Sequence, residues 1–86
     1  MNDIICLSVI IPVLNEESNL KELLPLILKF GGEYITELVV VDGGSKDNSV
    51  AVAQEFGAKV FELKEASRAK QMNLGAKEAK GNVLYF

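Results

Sequence analysis

One cycle constrains this chain of 86 residues more than any other feature. A short apolar run rich in β-branched residues is followed by a cluster of turn formers, then by apolar residues at helical spacing. The first run, residues 4–14, is nearly continuous and stops at Asn15, Glu16, Glu17 and Ser18. A strand with one wet face alternates in polarity, so an unbroken run predicts a strand buried on both faces, as in a parallel sheet. Leu20, Leu23, Leu24, Ile27 and Leu28 then follow the i, i+3, i+4, i+7, i+8 pattern of one helical stripe. Asn19 with Glu22 offers a capping box, with Ser18 as a competing cap. Pro25 should kink this helix or mark its first turn, and Gly31 with Gly32 should end it.

The cycle then repeats. Residues 38–41 form a second buried run, broken by Asp42, Gly43, Gly44 and Ser45. Asp47 is placed to cap a helix through Phe56, with Val50, Ala53 and Phe56 on one side and Gly57 as the stop. Residues 59–63 alternate, which predicts an edge strand. Ser67 can cap a third helix carrying Ala69, Met72, Ala76 and Ala79, closed by Gly81. Residues 82–86 open a fourth apolar strand. The order β-α-β-α-β-α-β with short connections predicts an α/β protein: a Rossmann-like parallel sheet with helices on both faces. Residues 1–86 read as a single incomplete domain, since a natural domain rarely stops on a buried strand. An open sheet edge of that kind predicts self-association of the isolated chain.

Several function classes drop out. With a single cysteine, Cys6, no intramolecular disulfide can form, and a buried, inert thiol is the expected role for it. With no histidine, neither a Ser–His nor a Cys–His nucleophile pair can be built, and zinc loses its common ligands. The net charge of −3 divides unevenly: residues 1–55 hold three cations against nine acids, residues 56–86 six against three. An acidic chain has no general footprint for nucleic acid, though its basic C-terminal third could face phosphate on a small molecule. The apolar runs at residues 9–14 and 23–28 each contain proline and are too short for a bilayer, so no membrane span is expected. The start of the chain carries no basic n-region, and the expected location is cytoplasmic.

In an open parallel sheet, ligands bind beyond the carboxyl ends of the strands. The loops at residues 15–19, 42–48 and 64–68 leave such ends, and all carry polar groups. Taken singly, each is what an ordinary strand-to-helix turn uses; their convergence on one rim is what suggests a site. No G-x-G-x-x-G and no G-x-x-x-x-G-K-[ST] is present, which removes the dinucleotide and P-loop fingerprints. Glu16 and Glu17 are adjacent and diverge, so they cannot flank a glycosidic bond.

Residues 8–17 (SVIIPVLNEE), 40–49 (VVDGGSKDNS), 68–75 (RAKQMNLG) and 79–81 (AKG) together resemble family 2 glycosyltransferases of the GT-A fold. The likeness covers almost the whole chain, and the Asp-Gly-Gly-Ser form is similar to a prokaryotic subgroup called selenodomain-associated transferases. The resemblance implies the donor-nucleotide-binding half of an inverting, metal-dependent enzyme using a nucleotide-sugar, with a UDP-sugar favoured. Asp42 would accept the uracil N3–H, which cytosine lacks. Pro12 would line the base, and Asn15 and Glu16 would reach base or ribose. Gly43, Gly44 and Ser45 would admit close backbone approach, and Arg68 would meet base or diphosphate. Many relatives carry an aromatic residue where this chain has Leu14, and a second acid where it has Gly43. The family's D-x-D triplet, which holds Mg²⁺ or Mn²⁺, would begin just beyond Phe86, and the catalytic base further on. These residues are therefore expected to hold no metal and to be inactive alone. The alternative is a non-catalytic nucleotide-binding or regulatory module that keeps only the half-fold.

Overall fold

The computed structural model describes residues 7–85, apart from the side chains of Thr36 and Leu84. Cys6 and Phe86, named above, lie outside the described residues. The chain runs β1 (Leu7–Val13), α1 (Glu17–Gly31), a 3-10 turn (Gly32–Tyr34), β2 (Ile35–Asp42), α2 (Ser49–Glu55), β3 (Lys59–Glu62), α3 (Arg68–Glu78) and β4 (Asn82–Tyr85). The four strands form one parallel sheet in the order β3-β2-β1-β4. The chain thus steps outward from β1 to β3 and returns across β1 to lay β4 on its other side. The expected α/β, Rossmann-like architecture is the one observed.

Side-chain parity explains the continuous apolar runs. Val9, Ile11 and Val13 of β1 and Leu38 and Val40 of β2 point to one face, where Leu20, Leu24 and Ile27 of α1 and Val52 and Ala53 of α2 cover them. Ile10, Val39 and Val41 point to the other face, packed by Leu74 and Ala79 from the α3 side and by Phe61 and Leu63. Each fully buried Leu or Ile contributes about 1.5–3 kcal/mol, so the two central strands anchor the fold. β3 lies at the sheet edge, as its alternation predicts, with Lys59 and Glu62 exposed.

Local details differ from expectation in four places. α1 starts at Glu17 without the Asn19–Glu22 capping box or a Ser18 cap, because the loop before α2 satisfies its first N–H groups instead. Of the two roles expected for Pro25, marking the first turn is overturned: it lies inside α1, well past that turn and on the solvent side, where its missing N–H leaves the Lys21 carbonyl without its helical donor. The buried side of α2 is Ser49, Val52 and Ala53, with Val50 and Phe56 half-buried, so the stripe is rotated from the predicted one. On α3 the buried residues are Gln71 and Gly75; Ala69 is exposed and Met72, Ala76 and Ala79 are half-buried. The reason is close approach: a Cβ at Gly75 would lie 2.4 Å from Ile10 Cγ2 and 3.3 Å from Val41 Cγ2. Glycine lets the helix rest directly on β1 and β2, which an apolar stripe of larger side chains could not do.

Candidate functional site

The carboxyl ends of β1 and β2 and the start of α3 meet on one rim of the sheet. Leaving β1, the chain turns at Asn15, whose φ of 51° is left-handed, a conformation that Asn tolerates better than most residues. Its N–H donates to Ser45 Oγ (2.8 Å) and its Oδ1 accepts from the Lys46 N–H (2.8 Å). Glu16 N–H donates to Ser49 Oγ (2.8 Å) and Glu17 N–H to Asp47 Oδ2 (3.2 Å). In return Glu17 Oε1 accepts from the Asn48 N–H (3.0 Å). Two loops some thirty residues apart in sequence are thereby stitched together by reciprocal bonds, which give acceptors to the orphan N–H groups at the start of α1.

Asp42, at the end of β2, is 1% exposed. Its Oδ2 accepts from the N–H groups of Gly44 (3.0 Å) and Ser45 (2.8 Å), while Oδ1 accepts from the Ser45 hydroxyl. The carboxylate organises its own turn, and Gly44 sits at a φ of 98° that side-chain-bearing residues rarely adopt. Gly43 is a place of close approach: a Cβ there would lie 2.9 Å from Ala66 Cα and 3.0 Å from Gln71 Oε1.

Asp47 and Glu17 are both held below their ordinary carboxylate range. For Asp47 the leading cause is the Ser49 hydroxyl, helped by the Ser49 and Glu17 N–H groups. For Glu17 it is the Asn48 N–H, followed by Lys21, whose Nζ stands 3.3 Å away. Hydrogen bonds to the ionised form favour that form.

Between the β1 loop and the start of α3 opens a cleft of about 270 Å³. Pro12, Val13, Leu14 and Glu16 form one wall; Ala66, Arg68 and Gln71 form the other. Of the residues expected at the site, Pro12, Glu16 and Arg68 line this cleft. Asn15, Asp42, Gly43, Gly44 and Ser45 form the hydrogen-bonded turn beside it and are not among its lining residues. Gln71 lies within the RAKQMNLG run but is assigned no role by it, because its partners are the carbonyls of Val13 and Val41, distant in sequence. A larger hollow of about 330 Å³ lies elsewhere, between Leu7 and Val9 of β1 and Leu23, Leu26 and Phe30 of α1. Its apolar lining offers nothing to a phosphate, whereas the 270 Å³ cleft brings a carboxylate and a guanidinium to the strand ends. Among the described residues no three His, Cys, Asp or Glu side chains gather as a metal-holding group. No helix among them is long and apolar enough to cross a membrane.

The strand order, two-sided packing and rim cleft define a Rossmann-like α/β protein of the GT-A type. The family model described as glycosyl transferase family 2 matches residues 8–86, and the chain belongs to that family. Glucosyl-3-phosphoglycerate synthase of Petrotoga mobilis is 40% identical over 58 residues, 64% of this chain and 18% of the relative. Dolichol-phosphate mannosyltransferase of Pyrococcus furiosus is 40% identical over 82 residues, 88% of this chain and 23% of the relative. Among solved structures, S. aureus TarS 1-349 superposes with a TM-score of 0.81 at 31% identity, over 93% of this chain and 26% of that one. Glucosyl-3-phosphoglycerate synthase from Mycobacterium tuberculosis, in complex with Mn²⁺, uridine diphosphate and glucosyl-3-phosphoglycerate, gives 0.76 at 25% identity, over 94% and 32%. The chain spans 18–23% of the length of these curated relatives.

Proposed function

We propose that this chain is the donor-binding portion of an inverting, metal-dependent glycosyltransferase that uses a nucleotide-sugar, with UDP the favoured nucleotide. The observation that carries the reading is the convergence of Pro12, Glu16 and Arg68 on one cleft at the strand ends, beside the turn held by Asp42. Support for uridine comes from the mycobacterial neighbour, which was solved with UDP. Assignment to the selenodomain-associated subgroup is part of the same proposal.

In this reading the base lies against Pro12 and Leu14, and Glu16 takes a ribose hydroxyl. Asp42, buried in the turn beside the cleft, would accept the uracil N3–H only once the Ser45 hydroxyl on its Oδ1, itself held by the Asn15 N–H, gives way, while Oδ2 keeps both backbone donors. The Arg68 guanidinium meets the diphosphate, whose oxygens suit its planar fork. The acceptor hydroxyl would form its bond to the anomeric carbon, with inversion, as the bond to the diphosphate breaks; its proton would pass to a general base and the nucleoside diphosphate would leave. A divalent cation supplies charge neutralisation on the leaving diphosphate when bound. Among the described residues no three acidic, cysteine or histidine side chains gather to hold it.

Calorimetric titration with UDP and CDP, on the wild type and on Asp42→Asn, tests the assignment. The expected result is UDP binding at least about tenfold tighter than CDP, about 1.4 kcal/mol, with the preference reduced in Asp42→Asn. Equal affinity for UDP and CDP in the wild type would remove Asp42 from base recognition.

A further inference from the structure

Gln71 is 3% exposed on the first turn of α3, with its amide beneath the cleft. Its Nε2 donates to two carbonyls, those of Val13 (3.1 Å) and Val41 (2.8 Å), and its Oε1 accepts from the Ser67 N–H (3.1 Å). These three partners are the last residue of β1, the penultimate residue of β2 and the N-cap of α3. One planar amide therefore ties together the three segments that carry Glu16, Asp42 and Arg68. Few uncharged side chains of this reach offer two donors and an acceptor at once. The same amide fills the space beside Gly43, where a Cβ would lie 3.0 Å from Oε1 and 3.1 Å from Cδ. A side chain at position 43 would press on the Ala66 backbone (2.9 Å) and crowd the amide of Gln71, which forms the wall of the cleft from the α3 side.

We propose that Gln71 is a positioning residue of the cleft: its three-way amide lock sets the spacing between the β1 loop and the start of α3, and thereby the affinity for a nucleoside diphosphate. The ligand half of this proposal rests on the reading of the cleft as a nucleotide site. An ionised carboxylate at position 71 would turn lone pairs toward the Val13 and Val41 carbonyls. A protonated one would regain a single donor while still accepting from Ser67. Gln71→Glu therefore converts the lock into a pH-dependent one that titrates above the ordinary carboxylate range, because burial favours the neutral acid. Gln71→Leu removes it at every pH.

The experiment measures UDP affinity of wild type, Gln71→Glu and Gln71→Leu at pH 5 and pH 8, each variant expressed relative to wild type at the same pH. The expected result is a loss of about tenfold for both variants at pH 8, with Gln71→Glu recovering at least about threefold at pH 5 and Gln71→Leu not recovering. Unchanged affinity in both variants, or a loss in Gln71→Glu that is equal at both pH values, overturns the proposal. Amide exchange in the unliganded protein separates this outcome from failure of the nucleotide reading. If the wild type binds no UDP, faster exchange at the Gly43 N–H, which donates to the Val13 carbonyl (2.8 Å), in Gln71→Glu at pH 8 than at pH 5, relative to wild type, still supports the lock. Equal protection at both pH values overturns it. If neither variant folds at either pH, Gln71 is a core residue and the positioning role is wrong.

Discussion

Gly75 and Glu37 illustrate how single side chains decide the packing of this sheet. A methyl group at Gly75 would gain helix propensity worth about 1 kcal/mol. Against that, it would stand 2.4 Å from Cγ2 of Ile10, a residue with no exposed surface and no room to yield. Overpacking costs about 1–3 kcal/mol, so Gly75→Ala is expected to lower the urea midpoint despite its better helix propensity. Glu37 is a different case. It is 8% exposed on β2, its Oε2 lies 3.7 Å from Lys59 Nζ, and its Oε1 has no hydrogen-bond partner among the described residues. Removing only the cation leaves a buried carboxylate unpaired, whereas removing the carboxylate relieves its desolvation. Lys59→Met should therefore destabilise by about 1–3 kcal/mol, and Glu37→Leu should cost less or stabilise. Denaturant titration of the two variants checks the order, and the reverse order would show that the pair is not strained by burial.

The elements themselves were largely legible in the chain, because their signals are local. Gly31 and Gly32 close α1, and Ser67 accepts from the Lys70 N–H at the start of α3; Asp47, expected to cap α2, stands one residue before its N-cap Asn48 and accepts from the Ser49 N–H. What escaped was the cap of α1, since its donors are satisfied by Ser49 and Asp47 from another loop. The buried face of α3 escaped for the same reason: glutamine and glycine carry no hydrophobic signal, and their burial depends on strand ends far away in sequence. The reciprocal bonds between the loops before α1 and α2 carry a pH prediction. Asp47 and Glu17 have folded pKa values below their unfolded values, near 3.9 and 4.3. Their contribution is complete above those values and is lost as pH falls through the lower folded ones. Thermal unfolding should thus be insensitive to these groups from pH 7 to about 5 and fall below about pH 4. Asp47→Asn should lower the midpoint at neutral pH and flatten that acid dependence; an unchanged acid limb in the variant would contradict it.

At the scale of the whole molecule, the sheet order places β1 and β2 at the centre and leaves β3 and β4 at the edges. The alternation of residues 59–63 made the first of those edges readable, and the polar clusters after each strand made the rim readable. The division of that rim was not readable: Asp42 and its glycines build a turn, while Gln71 and Ala66 supply the cleft wall beside Pro12, Glu16 and Arg68. β4 presents Val83 and Tyr85 at 37% and 44% exposure beside an edge that pairs with no strand among the described residues. The isolated chain is expected to self-associate as concentration rises, which sedimentation velocity would reveal as a growing sedimentation coefficient. The central claim, that the rim cleft is a nucleotide site, has a direct test in amide chemical shifts recorded during titration with UDP. The account predicts saturable shifts at residues 14–16, 43–45 and 66–71, with the apolar hollow around Leu26 and Phe30 unmoved. Shifts confined to that hollow, or none at millimolar UDP, would contradict it.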